Sequence, residues 1–490
     1  MHFRTITAGP YIAKLMAWAN ACANWVQRMR CTEAPQGAAW TEGEQANACT
    51  DGGRIAVNAV EDCVASESDS ASSKGKSAPP PVAGVIVRPR ERKGRSVEGR
   101  LLSRLLAFLG DPPLEFVLWT GESVRPAVAG DPIASLHIAD RAALFGLLAD
   151  PQVRFGESYS DGRISVEGDL VKVLEAVYNA GANSKRRFSV LRRGVELMRR
   201  RRVNTLPGSR DNIHHHYDIG NKFYALWLGK TMAYTCAYYP TPSAALDEAQ
   251  VAKMDHICRK MRLRPGESVV EAGCGWGSLA IHMAQNYGVK VRAFNISQEQ
   301  VAFARERAQR EGLNSSVEFI QDDYRNIAGK YDAFVSVGML EHVGVENYPG
   351  LGRVISQCLG SVGRGLIHSI GRNRPAAMHP WIEKRIFPGA HPPSLSEMMQ
   401  IFEPWNLSIL DVENIRLHYA RTLRHWLELY EGATERVAEM FDEKFVRMWR
   451  LYLAGSIAGF TTGTLQLFQV LFAPGVNNDV PWTRDYIYAR

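Results

Sequence analysis

The run Val269-Val270-Glu271-Ala272-Gly273-Cys274-Gly275-Trp276-Gly277 carries an apolar strand into a glycine turn at the start of a helix. Glycines there let the main chain pass close to a ligand at the carboxyl end of a first strand, where doubly wound sheets hold nucleotides. A glycine turn alone is weak evidence, because dinucleotide folds and structural turns use similar spacing. Here Glu271, Gly273, Gly275 and Gly277 form E-x-G-x-G-x-G, with no further glycine placed for a dinucleotide pyrophosphate, and a strand ending at Asn295 follows. That favours S-adenosylmethionine over a nicotinamide cofactor. Asn295-Ile296-Ser297, with Gln300 one helical turn on, stands where a carboxylate commonly holds ribose hydroxyls, and amides and hydroxyls can make the same bonds without charge. Gln321-Asp322-Asp323-Tyr324 closes a third strand where an acid or amide would face the adenine, so Asp323 and Tyr324 join the candidate cofactor contacts. Taken singly, each of these polar residues reads as a cap or a loop contact.

A second set of residues goes beyond a generic methyl-transfer site. His214-His215-His216-Tyr217-Asp218-Ile219-Gly220-Asn221-Lys222-Phe223-Tyr224 and Met232-Ala233-Tyr234-Thr235-Cys236-Ala237-Tyr238-Tyr239 are dense in aromatic side chains just ahead of the glycine turn. Glu341 and His368 are expected just beyond the fourth and fifth strands, where an open α/β sheet places its ligands. Alone, Glu341-His342 reads as a surface or capping pair and His368 as a satisfied core histidine. The histidine triplet has no Cys, Asp or Glu partners at ligand spacing, and no metal is expected.

With Gly338-Met339-Leu340-Glu341-His342-Val343-Gly344, Leu366-Ile367-His368-Ser369-Ile370-Gly371 and Ile386-Phe387-Pro388-Gly389, the order and content of these motifs resemble the cyclopropane fatty acid synthase family, including the mycolic acid cyclopropane synthases. The resemblance runs through residues 211–490 and extends more loosely to residues 100–182, which look like the lipid-binding amino-terminal domain of the phospholipid-acting members. It implies methylene transfer from S-adenosylmethionine to the double bond of unsaturated phospholipid acyl chains, giving cyclopropane fatty acids. An unactivated alkene is a poor nucleophile, so its methylation creates a carbocation that must be kept from water. Aromatic faces and a carboxylate stabilise such a cation without trapping it.

The resemblance also implies a bound bicarbonate that takes the proton from the transferred methyl. It would be held by the side chains of Glu341, His368 and Tyr419 and by the backbone amides of Cys236 and Ile370. Tyr217 would face the cation, Phe387 would line the acyl channel, and Tyr234, Thr235, Gly273, Gly275, Asn295 and Gln300 would lie along the cofactor. One departure stands out: the family commonly carries a cysteine where Leu453-Ala454-Gly455-Ser456-Ile457-Ala458-Gly459-Phe460 has Ser456.

The elements that must position these residues alternate as strand Ser268–Glu271, helix Ser278–Tyr287, strand Lys290–Phe294, helix Gln298–Glu311, strand Val317–Gln321 and strand Ala333–Val337. Such alternation predicts a parallel sheet with helices on both faces. The fold class is therefore α/β, a Rossmann-like S-adenosylmethionine-dependent methyltransferase domain over residues 211–490. Ahead of it, residues 96–184 read as a small α+β domain, with apolar runs Leu114–Trp119, Ala134–Ile138 and Ile164–Val166 interleaved with helical patterns Arg141–Leu148 and Leu170–Tyr178. Residues 185–210 read as a basic linker helix, with Lys185, Arg186, Arg187, Arg192, Arg193 and Arg199–Arg202 opposed by Glu196 alone. Its bland reading is a solvated linker; on a bilayer, anionic headgroups attract such residues by about 1 kcal/mol each. Residues 1–95 are low in apolar periodicity and run through Ser66–Ser77 into Pro79-Pro80-Pro81, the composition of a disordered leader.

The 490 residues, 46% hydrophobic and 22% charged, exclude a wholly disordered chain and suggest more than one folded unit. A net charge of +7 is only mildly basic, and the basic segment lacks the interleaved aromatics of a nucleic-acid site, so no nucleic-acid partner is expected. The eight cysteines form no CxxC pair and read as reduced cytosolic thiols. Tyr11–Val26 is moderately apolar but holds Lys14 and lacks a clear cleavage site. Leu451–Asn478 carries Gln466 and Gln469 and reads as a buried helix followed by a strand Leu465–Phe472. The expectation is a cytoplasmic enzyme bound peripherally at the membrane surface, with a homodimer presenting two basic faces. Alternatives left open are a relative forming methylene- or methyl-branched chains, a non-catalytic lipid-binding protein and a small-molecule methyltransferase.

Overall fold

The structure is a computed structural model that describes residues 95–126, 130–183 and 219–488. The leader, Tyr11–Val26, the basic segment 185–210, His214–His216 and Tyr217 lie outside the described residues.

In the small domain, α1 (Val97–Leu109) starts where the Ser96 hydroxyl accepts the Gly99 amide and stops at Gly110, whose φ of +90° ends the helix in the left-handed region. β1 (Leu114–Leu118), β2 (Ser123–Val124), β3 (Ala134–Ile138) and β4 (Ile164–Glu167) form a sheet in the order β2-β1-β3-β4. The central β1 and β3 run parallel and alternate buried with half-buried residues, the signature of a sheet covered on one face. That face is covered by α1, α2 (Arg141–Ala149) and α4 (Leu170–Asn183), which bring Leu102, Leu144, Leu147 and Val173 onto Phe116, Leu136 and Ile164. This is the expected α+β unit with one addition, α3 (Pro151–Ser160), started by Asp150 and Pro151. The sequence hides α3 because its buried residues include Gly156, Ser158 and Ser160, which make no apolar stripe.

The larger domain opens with α5 (Asn221–Tyr224) and α6 (Leu246–Lys260), then follows β5 (Ser268–Ala272), α7 (Ser278–Tyr287), β6 (Lys290–Asn295), α8 (Gln298–Arg310), β7 (Val317–Gln321), β8 (Tyr331–Val337), α9 (Tyr348–Cys358) and β9 (Leu359–Gly371). Beyond lie α10 (Pro380–Arg385), α11 (Leu395–Phe402), β10 (Leu407–Asn414), α12 (Arg416–Glu431), α13 (Thr434–Met440), α14 (Glu443–Thr461), β11 (Gln466–Pro474) and α15 (Asp485–Tyr488). The seven strands run β10-β11-β9-β8-β5-β6-β7. β9-β8-β5-β6-β7 is parallel, and β11 is antiparallel to both β9 and β10. The sheet is therefore mixed, a correction to the parallel expectation. Its cause is plain: Gln466–Ala473 is buried at every residue, and an uninterrupted buried run carries no directional signal. The helix expected ahead of this strand spans Glu443–Thr461, and among the described residues no helix is long and apolar enough to cross a membrane.

The two domains share an aromatic core. Phe223, Trp227, Trp426 and Trp449 are fully buried in one cluster, each burial contributing about 1.5–3 kcal/mol. α14 packs across α3 and α4, and Arg447 on it donates to the main-chain oxygens of Tyr159 (2.6 Å) and Ile164 (2.9 Å). From α3, Glu157 accepts from Arg385 Nε (2.8 Å) and Lys384 Nζ (3.2 Å) at the end of α10. Beside it Gly156 meets Trp381 so closely that a Cβ would lie 2.4 Å from the indole nitrogen.

Candidate active site

A cavity opens at the carboxyl ends of β5, β6 and β8, lined by Tyr234, Thr235, Glu271, Gly273, Gly275, Asn295 and Gln300 among others. Two glycines of the turn are required by shape. Gly273 sits at φ +85° with its missing Cβ 2.8 Å from Met339, and Gly277 at φ +81° with its missing Cβ 2.6 Å from the Phe319 ring. Gly277 thus serves the packing of the turn on β7, and it does not line the cavity.

Both Nδ2 protons of Asn295 are engaged, by Gly275 O (3.2 Å) and Gln300 Oε1 (2.8 Å), and its Oδ1 accepts from Ser297 N (3.1 Å). It fixes the turn and aims Gln300, whose buried Nε2 is left without a partner and suits a hydroxyl acceptor. Asp323 and Tyr324 fall elsewhere. Asp323 accepts from Arg325 N (2.9 Å) as the cap of a short turn, and Tyr324 is buried in the core under the Arg325 guanidinium.

Two charged residues in the cavity wall are buried. Burial pushes the Glu271 carboxyl up to about 8, against a lowering by Lys253 and by the Ala280 amide. Burial likewise pushes Lys253 down to about 8, and its Nζ donates to Thr235 Oγ1 (2.9 Å). Lys253 is a site residue that the sequence reading passed over. It lies on the buried stripe Leu246, Ala249, Gln250, Lys253, Met254, Ile257 of α6, and a lysine breaking such a stripe was the available signal.

Glu341 and His368 gather at the ends of β8 and β9. Glu341 lies in a short turn after β8, whereas His368 lies within β9 rather than beyond it, because that strand runs on to Gly371. Glu341 Oε1 accepts from Ile370 N at 2.5 Å, so the Ile370 amide is spent on the carboxylate here, and Oε2 is buried without a partner. Burial raises the Glu341 carboxyl to about 7. The Gln469 amide donates to His368 Nδ1 (3.2 Å), which leaves the ring proton on Nε2, itself buried and unpartnered. Burial, aided by the charges of Lys253 and Lys260, pushes His368 down to about 3, so the ring is neutral.

Tyr419 is buried on α12 against Trp426 and Phe460. Three residues on, Thr422 accepts the Ala237 amide (3.0 Å) and ties α12 to the segment of Cys236, whose thiol burial raises well above its usual value. Around the cavity, the Tyr234 and Tyr452 hydroxyls meet at 2.7 Å, and Phe387 stands edge-on to Tyr452 (5.6 Å) and His342 (5.9 Å). Burial pushes His342 down to about 4, so this ring too is neutral. Ser456 lies half-buried one turn beyond Tyr452 on α14. Among the described residues there is no cluster of His, Cys, Asp or Glu arranged to hold a metal ion.

A glycine turn at the carboxyl end of β5, an amide-lined edge at β6 and a strand order with β11 inserted antiparallel define an S-adenosylmethionine-dependent methyltransferase. The family model of mycolic acid cyclopropane synthetase matches residues 206–470, and the chain belongs to that family. A second model, a domain of unknown function (DUF7884), matches residues 101–187. The chain is 36% identical over 395 residues to a probable fatty acid methyltransferase of Pseudomonas putida, covering 77% of this chain and 96% of that one. It is 39% identical over 264 residues to the cyclopropane-fatty-acyl-phospholipid synthase of Escherichia coli, covering 54% and 68%. Among solved structures it resembles the mycolic acid cyclopropane synthase CmaA1 complexed with SAH and CTAB, at 26% identity and a TM-score of 0.51, covering 54% of this chain and 97% of that one.

Proposed function

We propose that this chain transfers a methylene group from S-adenosylmethionine to the cis double bond of unsaturated phospholipid acyl chains and closes it to a cyclopropane. When bound, the cosubstrate supplies an electrophilic methyl on a sulfonium. Addition of that methyl to one alkene carbon, with its bond to sulfur broken and S-adenosylhomocysteine released, would leave a cation on the next carbon, and loss of a proton from the added methyl would let its carbon close the ring. The chain's own residues would keep water out and orient the alkene: Tyr234 lines the cavity with its hydroxyl on that of Tyr452, and Phe387 stands edge-on to Tyr452, an aromatic cluster that would also favour a transient cation.

The observation that carries this reading is the pair of buried, unpartnered atoms Glu341 Oε2 and His368 Nε2. Buried polar atoms rarely go unsatisfied, so each of the two atoms wants a polar partner from outside the chain. A neutral His368 offers a proton on Nε2, and a Glu341 carboxyl that is protonated near neutrality offers a second donor, a donor set that fits an anion. Glu341, His368 and Tyr419, with the Cys236 main chain, would hold bicarbonate, which when bound supplies a base beside the transferred methyl. The reading includes docking on anionic lipid through residues 185–210, with the protein in the cytoplasm, and a homodimer.

The test is to incubate the protein with S-adenosylmethionine and monounsaturated phospholipid vesicles and to identify acyl products by mass spectrometry and proton NMR, beside Glu341→Gln. A product heavier by one CH₂ with ring-methylene signals, lost in the variant, supports the proposal. An olefinic or methyl-branched product of the same reaction would replace it with the branched-chain reading, which the name of the Pseudomonas putida relative also fits.

A further inference from the structure

Lys253 and Glu271 face one cavity, each only 2% exposed, and do not pair with each other. A buried ammonium ordinarily finds a carboxylate, because leaving it unpaired in a low-dielectric wall is costly. Among the described residues no carboxylate lies within ion-pair distance of Lys253 Nζ, and its hydrogen bond goes to a neutral hydroxyl, that of Thr235. Glu271 has the mirror-image arrangement. Its Oε2 is buried and unpartnered, so the same wall presents a carboxyl without a cation. Burial disfavours the charged form of Lys253, and the neighbouring Cys236 and Glu271 oppose that lowering without consuming any of its hydrogen-bonding protons. A wall that holds an ammonium with protons to spare and a carboxyl with an unpartnered oxygen suits a ligand that carries an acceptor and a donor a few bonds apart, as the free head of an amino acid does.

We propose that Lys253, together with the Thr235 hydroxyl it holds, binds the carboxylate of the methionine moiety of the cosubstrate. The proposal rests on the reading of this cavity as the S-adenosylmethionine site, and it names the residue that recognises the amino-acid end. Lys253 has three protons to offer and Thr235 occupies one, so a carboxylate oxygen can accept another without breaking the bond already present. The contact would be a charge-assisted hydrogen bond in a site from which water is excluded, the setting in which such bonds are strongest.

Isothermal titration of the full chain with S-adenosylhomocysteine and with its decarboxylated analogue tests this directly. Wild-type protein is expected to lose roughly 10- to 100-fold in affinity when the ligand lacks the carboxylate, the range of a charged hydrogen bond. Lys253→Met is expected to lose the same factor for S-adenosylhomocysteine and almost nothing for the decarboxylated ligand, so the two deletions do not add. A variant that keeps the wild-type ratio between the two ligands overturns the proposal. Equal affinity of the wild-type protein for both ligands overturns it whether or not any variant folds. Failure of the wild-type protein to bind S-adenosylhomocysteine at all would instead sink the cosubstrate reading on which it stands.

Discussion

Two lysines lie on the same buried face of α6, two turns apart and equally hidden from solvent, yet they live in opposite electrostatic worlds. Lys260 is clasped by Glu413 at 2.6 Å and Asp411 at 3.3 Å, with His256 on Glu413 at 2.7 Å and Arg484 on Asp411 at 2.7 Å. Lys253 has one hydroxyl. The carboxylates follow suit. Burial alone would raise Glu413, but the His256 hydrogen bond and the Lys260 charge outweigh it and hold the group down to about 2. Glu271 and Glu341, which lack such partners, are pushed up to about 8 and about 7. Where burial serves the fold, every charge is answered within the chain. Around Lys253, Glu271 and Glu341 buried donors and acceptors are left open, as a ligand site would leave them.

Substitutions at Glu341 and at either end of α6 test this contrast. The largest effect is expected from Glu341→Gln, with turnover on monounsaturated vesicles reduced by roughly 10²–10⁴ while the Kd for S-adenosylhomocysteine, read by titration, stays unchanged. Lys260→Met should act on the other side of the divide. It leaves Glu413 and Asp411 without their buried counter-charge and should lower unfolding stability by about 3–5 kcal/mol in denaturant titration, again with ligand affinity intact in the folded fraction. If Lys260→Met proved neutral for stability and harmful to ligand binding, the division between the two ends of α6 would collapse.

The pH dependence separates the two groups by sign. Glu341 goes from an ordinary 4.5 to about 7 on folding, so the stability it lends is full below 4.5 and is lost as pH rises through about 7. Glu413 goes from 4.5 to about 2, so its contribution is present above 4.5 and lost as pH falls through about 2. Thermal melts of the ligand-free protein should therefore show Glu341→Gln at least as stable as wild type at pH 8, by roughly 1–3 kcal/mol, with the advantage gone at pH 4. A variant less stable than wild type at pH 8 would mean that Glu341 is a structural residue.

The smallest effect concerns the strut between domains. Glu157 is held down to about 2, first by its hydrogen bond from Arg385, and the pair sits at the end of α10 just ahead of Phe387. Because Arg385 is partly exposed, Glu157→Gln should cost only about 1 kcal/mol or less of stability. A few-fold rise in KM for lipid at unchanged kcat would show that the small domain helps to place the Phe387 loop and that this loop meets the lipid. An unchanged KM would confine Glu157 to holding the domains together.

Most elements were legible because the signals that mark them are local. Helix Ser278–Tyr287 and strand Val317–Gln321 have the bounds that periodicity and flanking glycines suggest, and β6 and β8 extend theirs by one and two residues. The glycine turn was legible for the same reason: Glu271, Gly273 and Gly275 are near neighbours in the chain as well as in the cavity wall. α3 was not, since a helix whose buried face is Gly156, Ser158, Tyr159 and Ser160 makes sense only against Trp381 and α14. Nor was Asn295's commitment to Gly275 and Gln300, which gives a residue of the cavity wall a second task in fixing the turn.

By itself the sequence determined the class of fold, the position of the nucleotide turn and the types of residue available for chemistry, because strand and helix periods and glycine spacing act over a few residues at a time. Only the tertiary structure decided the antiparallel insertion of β11, the seating of α3 and α4 against α14, and which of two alike lysines on α6 is paired. Those outcomes depend on which distant segments arrive beside a residue and exclude water from it. Burial and the partner it demands are properties of packing, and no residue's identity or spacing states them in advance.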